Sequence, residues 1–174
     1  SSIIECSTDA IYSKRFDGTI TSWNPAAEKI FGYTAREALG NDISIIVPPE
    51  YMQEEEELDG HIKNGDRIDH YETIRRRKDG GSVDISLTVS PIKDAEGRII
   101  GASKIAQNIT ERRHSDDLRT LMVDELNHRV KNTLATVQSV AEQTLRSSPT
   151  MAQFNAAFSG RIQAMARIHT ALAG

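Results

Sequence analysis

One histidine, His128, lies in the middle of a stretch with a regular helical pattern, ELNHRVKNTLATVQSVA (125–141). An imidazole in water has a pKa near neutrality, and its neutral form is a competent nucleophile. Each helical residue turns by about 100°, so His128 lies about 200° from Leu126 and from Val130, away from the apolar side of the helix. The pattern predicts an exposed imidazole that could accept a phosphoryl group.

The residues one helical turn from His128 are charged or polar. Asp124 and Glu125 precede it, and Lys131 and Asn132 follow it, at spacings that bring side chains together. A carboxylate there could hold one ring nitrogen while the other attacks, and a cation could stabilise the incoming phosphoryl charge. By spacing alone, an ordinary surface histidine, one of five in the chain, is the more common explanation.

A long amphipathic helix must carry His128. Neither Pro nor Gly occurs between Ala102 and Ser148, and apolar residues recur at three- and four-residue spacings from Leu118 to Leu145. These spacings predict one helix that starts at about residue 109 and has coiled-coil character near its start.

A second amphipathic helix is predicted after RSSPT (146–150), where Ser148 would cap it and Pro149 would open it. Its apolar positions are Met151, Phe154, Phe158, Ile162, Met165, Ile168 and Leu172. Two such helices form a hairpin that buries too little surface to be stable alone. We therefore expect two copies to pair into a dimeric four-helix bundle.

The residues before about 110 mix short strands with turns. Asp17-Gly18 predicts a hairpin, Asn24 a helix cap, and Gly32 and Gly40 helix ends. A further helix is predicted at 48–65 and three strands at 70–110. The order of strands, helices and strands predicts an α+β domain, with an antiparallel sheet covered by helices on one face.

The best-defined strand pattern is SVDISLTVS, in which Val83, Ile85, Leu87 and Val89 alternate with polar residues. Two charge clusters surround these strands. Glu54–Glu57 is interpreted as a solvated helix face, and Arg75–Lys78 as a hairpin end that can pair with that acidic helix.

Several of these motifs together resemble a PAS domain, over residues 1–112. They are GTITSWNPAAEKIFGYTAREALG and RRRKDGGSVDISLTVSPIKDAEGRIIGASKIAQNITERR. The resemblance implies a five-stranded antiparallel sheet and a sensor or dimerisation role. Asn108 stands where this family usually has Asp.

The resemblance also raises the question of a ligand. Ile43 occupies the place of the photoreactive cysteine of flavin-binding members, and Glu54 the place of the axial histidine of haem-binding members. Covalent flavin and haem are therefore not expected. An unliganded core, or one that holds an unidentified small molecule, is the expectation.

Residues 113–174 resemble the dimerisation and phosphoacceptor region of HWE-type sensor histidine kinases, a relative of the HisKA_2 group. The resemblance rests on ELNHRVKNTLATVQSVAEQTLR and on RIQAMARIH. It implies that His128 is the phosphoacceptor. Arg129 departs from the commonest histidine kinases, which place an acidic residue there.

The same resemblance suggests supporting roles around His128. The general base would be Asp124, Glu125 or a residue of the ATP-binding domain, and Asn132 would position water for dephosphorylation. Arg129 and Lys131 would support the phosphoryl charge.

The implied parent is a two-component kinase that uses ATP and Mg²⁺ and passes the phosphoryl group to an Asp of a response regulator receiver domain. Nothing in residues 1–174 resembles an ATP-binding domain, so this chain alone is expected to be inactive. Two alternatives stay open: a non-catalytic PAS scaffold dimerised by a coiled coil, and a ligand-binding sensor module.

Composition limits the other classes. The net charge of −4 argues against a nucleic-acid binder, and no apolar run approaches the roughly 20 residues of a membrane span. The start of the sequence lacks the basic region of a signal peptide. The single cysteine, Cys6, rules out an intrachain disulfide and a CxxC motif. A cytoplasmic protein is the expectation.

Overall fold

The computed structural model describes residues 2–172, with the side chains of residues 3–167. Within that range the chain forms two units, which divide in sequence between Ser115 and Asp116. The side chains of Ile168 and Leu172, two positions of the predicted apolar stripe, lie outside the described part of the chain.

The first unit contains a five-stranded antiparallel sheet in the order β2-β1-β5-β4-β3. Its strands are β1 (Ala10–Arg15), β2 (Ile20–Trp23), β3 (Ile68–Arg76), β4 (Ser82–Lys93) and β5 (Ile99–Asn108). The first hairpin turns at Asp17-Gly18, where Gly18 has a φ of +89°. The predicted hairpin and the three later strands are confirmed.

The helices of the first unit lie between β2 and β3, apart from one short helix at the start. They are α1 (Ser2–Glu5), α2 (Pro25–Phe31), α3 (Ala35–Ala38) and α4 (Met52–Lys63), with single 3₁₀ turns at Ile43–Ile45 and Pro49–Tyr51. The Asn24 side chain caps α2 by accepting from the backbone N–H of Ala27, and Gly32 ends it with a φ of +81°.

Apolar residues from the sheet and the helices form one core. Val83, Ile85, Leu87 and Val89 of β4 are all buried, as their alternation predicts. Three aromatic rings from β1, β2 and α2 also meet there: the centroid distances are 5.3 Å for Tyr12–Trp23, 5.8 Å for Tyr12–Phe31 and 5.4 Å for Trp23–Phe31. Such tilted and edge-on pairs add to the stabilisation from burial.

The long helix α5 spans Thr110–Ser147, and α6 spans Met151–Leu172. The predicted start of the second helix is wrong by two residues. Thr150, not Ser148, caps α6: its hydroxyl accepts from the N–H of Gln153 at 3.3 Å. Pro149 therefore lies in the connecting turn. Proline has no backbone N–H to donate, and no helical hydrogen bond is needed at this position.

One polar contact joins the two helices of the second unit near their connection. Thr144 is fully buried, and its hydroxyl accepts from Nη1 of Arg161 at 3.0 Å and donates to the carbonyl of Val140 at 2.6 Å. By contrast, much of the predicted α5 stripe is exposed in this single chain: Leu118, Met122, Leu126, Val130 and Leu134 are 54–62% exposed.

Candidate functional site

His128 lies on α5 and is exposed, as its helical position predicts. Its predicted neighbours Asp124, Lys131 and Asn132 are exposed as well. Within the described part of the chain, the side chains of these three residues make no hydrogen bond or ion pair. They are therefore available to an incoming group, and the structure does not bring them into contact with the imidazole.

Glu125 and Arg129 form the one ion pair found beside His128 in the described chain. Nε of Arg129 donates to Oε1 of Glu125 at 2.8 Å, across one turn of the helix. The hydrogen bond from Arg129 lowers the pKa of Glu125, and His128 contributes a smaller lowering. The Glu125 carboxylate is thus held in the ionised state beside the imidazole. Sequence reasoning named both residues without predicting that they pair.

An apolar strip runs next to this ion pair. Leu121, Met122 and Leu126 line a shallow groove that Glu125 and Arg129 border. These three apolar side chains are 57–66% exposed. Contiguous exposed apolar surface of this kind is typical of a protein interface.

A second chemically distinctive region lies inside the first unit. Glu55 of α4 is 2% exposed and contacts three cations of the sheet: Lys104, Lys14 at 3.1 Å and Arg75 at 3.3 Å. Asp59, one turn further along α4, binds Lys14 at 2.5 Å. We call these five residues the buried charge cluster.

The buried charge cluster corrects one prediction and confirms another. Glu55 does not belong to a solvated helix face, because it points into the sheet and balances buried cations there. The predicted pairing of the basic hairpin with the acidic helix is confirmed for Arg75, whose Nη1 also lies 3.1 Å from Oε1 of Glu54. Arg76 and Lys78, in contrast, are exposed.

The pKa values of the cluster show how its charges support one another. Burial raises the pKa of Glu55, but Lys104 and Lys14 outweigh that effect and lower it to about 2. Burial lowers the pKa of Lys104 to about 8, although Glu55 opposes the change. Both groups therefore remain charged at neutral pH. Burial also raises the pKa of the Tyr12 hydroxyl, which lies near Arg75.

The alternation of the strands contained a signal for this cluster. Lys14 shares the face of Ala10 and Tyr12 on β1, and Lys104 lies between Ala102 and Ala106 on β5. A lysine at an inward position of a half-buried strand requires a buried carboxylate, because an unpaired buried charge is strongly destabilising.

Asp84 of β4 contacts the start of α5 through its backbone and its side chain. Its carbonyl accepts from the N–H of Ile109 at 2.9 Å, and its N–H donates to the Thr110 hydroxyl at 3.1 Å. Its carboxylate lies 2.6 Å from Nη1 of Arg113, whose Nη2 is 3.6 Å from Glu72 of β3. The first turn of α5 is thereby attached to two strands.

Within the described residues, no group of His, Cys, Asp and Glu side chains could hold a metal ion. A search of the same residues for helices long and apolar enough to cross a bilayer also finds none.

Comparison with known proteins assigns both parts of the chain. A PAS domain family model matches residues 8–111, more than half of the sequence. The chain belongs to the PAS domain family. A model described as HWE histidine kinase matches residues 125–174, which include His128. Both predicted resemblances, to a PAS domain and to an HWE histidine kinase segment, are therefore confirmed.

The relatives by sequence include blue-light-activated histidine kinases. The proteins of Brucella ovis and Brucella anthropi are 41% and 38% identical to this chain over 68 residues. That match covers 39% of this chain and 14% of each relative. The chain therefore corresponds to a small part of the length of these kinases.

Solved structures show the same fold in the first unit. The PAS domain of a Colwellia psychrerythraea protein has a TM-score of 0.59 and 24% identity, and covers 63% of this chain and 93% of its own. An RNA-binding light-oxygen-voltage receptor has a TM-score of 0.60 and 23% identity, and covers 71% of this chain and 36% of its own. At these identities the likeness establishes the α+β PAS fold.

Proposed function

We propose that this chain is the sensor and phosphoacceptor region of a cytoplasmic two-component histidine kinase, with His128 as the phosphorylated residue. Residues 1–112 form the sensor domain and residues 113–174 the dimerisation and phosphotransfer domain, with the signalling helix starting at about residue 109. The observation that carries the proposal is the exposed imidazole of His128, on a long helix, within the segment that matches the HWE histidine kinase model.

The reaction proposed for His128 is an in-line displacement at the γ-phosphorus of ATP. A ring nitrogen attacks phosphorus, the bond from phosphorus to the β,γ-bridging oxygen breaks, and ADP leaves with that electron pair. The second ring nitrogen loses its proton to a base, for which Asp124 and Glu125 are the nearest carboxylates in sequence. ATP and Mg²⁺ belong to an ATP-binding domain that residues 1–174 do not contain.

The charged side chains around His128 fit these steps. Glu125 lies one turn from His128 and is held ionised by Arg129, so its negative charge can stabilise the positive charge that the imidazole gains as it attacks phosphorus. Lys131, which has no partner in the described chain, is free to approach the transferring phosphoryl oxygens. Asn132, also free on its side chain, would position water for hydrolysis of the phosphohistidine.

The second step transfers the phosphoryl group to a response regulator. The carboxylate of an Asp in the receiver domain attacks phosphorus, the phosphorus–nitrogen bond to His128 breaks, and the imidazole takes back a proton. The receiver domain must therefore reach the exposed side of α5 that carries His128.

A homodimer completes the proposed architecture. In the single chain Leu118, Met122, Leu126 and Val130 leave a long apolar stripe of α5 in water. Burying such a stripe against a second copy would stabilise both chains and form a four-helix bundle. His128, on the other side of the helix, would remain accessible.

The ligand of the sensor domain is unknown. Ile43, buried in the core, stands where flavin-binding members carry their reactive thiol, and Glu54 is engaged by Arg75. Covalent flavin attachment and axial haem ligation at these two positions are therefore not part of the proposal.

The test is phosphoryl transfer to this chain. The chain is mixed with γ-labelled ATP, Mg²⁺ and the separately purified ATP-binding domain of a Brucella blue-light-activated histidine kinase, and then with a receiver domain. We expect label on wild type and on His114→Ala, no label on His128→Ala, and no label when the ATP-binding domain is omitted.

Two outcomes would favour the alternatives. If a phosphorylated receiver domain and the ATP-binding domain both leave this chain unlabelled, the chain acts as a PAS scaffold or a ligand-binding module. If His128→Ala is labelled as fast as wild type, the phosphoacceptor is a different residue. An absorption spectrum of the purified protein separates a flavin- or haem-binding module from a scaffold.

A further inference from the structure

The start of α5 is held by an arrangement that the proposed function does not use. Arg113 lies between two carboxylates on adjacent strands, 2.6 Å from Asp84 of β4 and at 3.6 Å from Glu72 of β3. Its backbone N–H also donates to the carbonyl of Ile109, in the first turn of the helix. We call Glu72, Asp84 and Arg113 the exit clasp.

Asp84 is the centre of the exit clasp. The last residue pair of the β4–β5 ladder is Ile85 with Asn108, so Asp84 lies next to the point where β5 ends. Its backbone carbonyl and N–H extend the ladder to Ile109 and Thr110, and its carboxylate continues the attachment to Arg113. Three successive contacts from one residue therefore attach the end of β5 and the first turn of α5 to β4.

Asp84 supplies the negative charge on β4, while Asn108 at the end of β5 is uncharged. The Asn108 side chain instead accepts from the N–H of Thr110, the first residue of α5, at 3.0 Å. The Asp84–Arg113 ion pair is thus the ionic link from β4 to the helix that carries His128.

The exposure of the exit clasp suits a contact that opens and closes. The side chain of Arg113 is 43% exposed, and those of Asp84 and Glu72 are 21% and 45% exposed. Ion pairs with this much access to water contribute little to global stability. Opening the clasp would therefore leave the sheet folded while it frees the first turn of α5, which is the behaviour of a two-state signalling element.

We propose that the exit clasp regulates the phosphorylation of His128 by holding the first turn of α5 on β3 and β4. In the closed state Arg113 binds both strands; in the open state the first turn separates from β4. This inference rests on the proposed function. Arg113 acts through the helix and is a positioning residue, since it touches no reacting group.

The test uses the full 174-residue chain with four variants: Arg113→Gln, Asp84→Asn, the double variant that carries both changes, and Arg119→Gln as a matched control. Arg119 is an exposed cation on the same helix that makes no contact in the described chain. Hydrogen–deuterium exchange of the amides of residues 109–115 reports on the clasp itself. The labelling rate of His128 reports on its consequence.

We expect faster exchange at residues 109–115 in Arg113→Gln and Asp84→Asn, and wild-type exchange in the control. The labelling rate should change by about five-fold or more in both single variants, the lower end of ordinary coupling between sites. Because the two residues act on each other, the double variant should differ from either single variant by less than about two-fold.

The results distinguish failure of the clasp proposal from failure of the proposed function. If wild type is not labelled at all, the phosphoacceptor proposal fails, and exchange alone still shows whether the clasp exists. If wild type is labelled but every variant is labelled at the wild-type rate, the regulatory role is wrong. Additive effects in the double variant, or unchanged exchange in Arg113→Gln, would show that Asp84 and Arg113 do not act as a pair.

Discussion

Replacing Glu55 by Gln removes the central negative charge of the buried charge cluster while keeping nearly the same side-chain volume. In this variant Lys14 still pairs with Asp59, and Arg75 still pairs with Glu54. Lys104 keeps no carboxylate, because Glu55 is its only ion-pair partner in the described chain. The variant therefore leaves one wholly buried ammonium group without a counter-charge.

The expected loss follows from that single orphaned charge. Removing one partner of a buried ion pair costs about 3–5 kcal/mol, and we expect about 3 kcal/mol because the Gln carbonyl can still accept one hydrogen bond. Most domains have about 5–15 kcal/mol of stability, so the loss is a large fraction of the total.

The assay is equilibrium unfolding in urea followed by tryptophan fluorescence. Trp23 is the only tryptophan of the chain and lies 8% exposed in the core of the first unit, so it reports on this domain. The matched control is Glu56→Gln, at the next position of α4, where the side chain is exposed. This control should stay within about 0.5 kcal/mol of wild type.

A double variant separates loss of charge balance from loss of packing. Glu55→Gln combined with Lys104→Met removes both charges, and buried ion pairs replaced by apolar residues are often as stable as the original. The double variant should recover more than half of the loss. The reasoning is refuted if Glu55→Gln loses less than about 1 kcal/mol, or if adding Lys104→Met gives no recovery.

Three further predictions concern other contacts. The pKa of Glu55 falls to about 2 on folding, so its contribution is present above pH 4.5 and is lost as the pH falls toward 2; the unfolding free energies of wild type and Glu55→Gln should converge over that range. In Gly101→Ala the new Cβ would lie 2.4 Å from the Lys14 carbonyl, and we expect fluorescence-detected unfolding to show a loss of about 1–3 kcal/mol. Thr144→Val removes the acceptor of Arg161, and faster hydrogen exchange in α6 should reveal a loss of about 1 kcal/mol.

The sequence predicted the elements of the first unit because local chemistry specifies them. Val83, Ile85, Leu87 and Val89 alternate in the sequence, and all four are buried on one face of β4. Asn24 before Pro25 predicted the capped start of α2. These signals need no knowledge of distant residues, since a pleated strand or a helix cap is determined by its own neighbours.

Glu55 was misinterpreted for the opposite reason. A run of four glutamates is usually a solvated helix face, and its burial here depends on cations of β1, β3 and β5, distant in sequence. The inward lysines Lys14 and Lys104 were the only local indication. The exit clasp was missed likewise, because Asp84 and Arg113 meet only after β4 and β5 have paired.

The sequence predicted the exposure of His128 but not the contacts of the side chains around it. Helical spacing placed His128 in water, and the structure agrees. Spacing also suggested carboxylates within reach of the imidazole, whereas the structure pairs Glu125 with Arg129. On an exposed helix a charged side chain has several possible partners within one turn. Spacing alone does not show which of them it will bind.

The central claim is tested most directly by locating the phosphoryl group. After labelling, the protein is digested under non-acidic conditions that preserve phosphohistidine, and the modified residue is identified by tandem mass spectrometry. The account predicts a single modified residue, His128. A phosphoryl group on one of the other histidines, or on a serine or threonine, would contradict it.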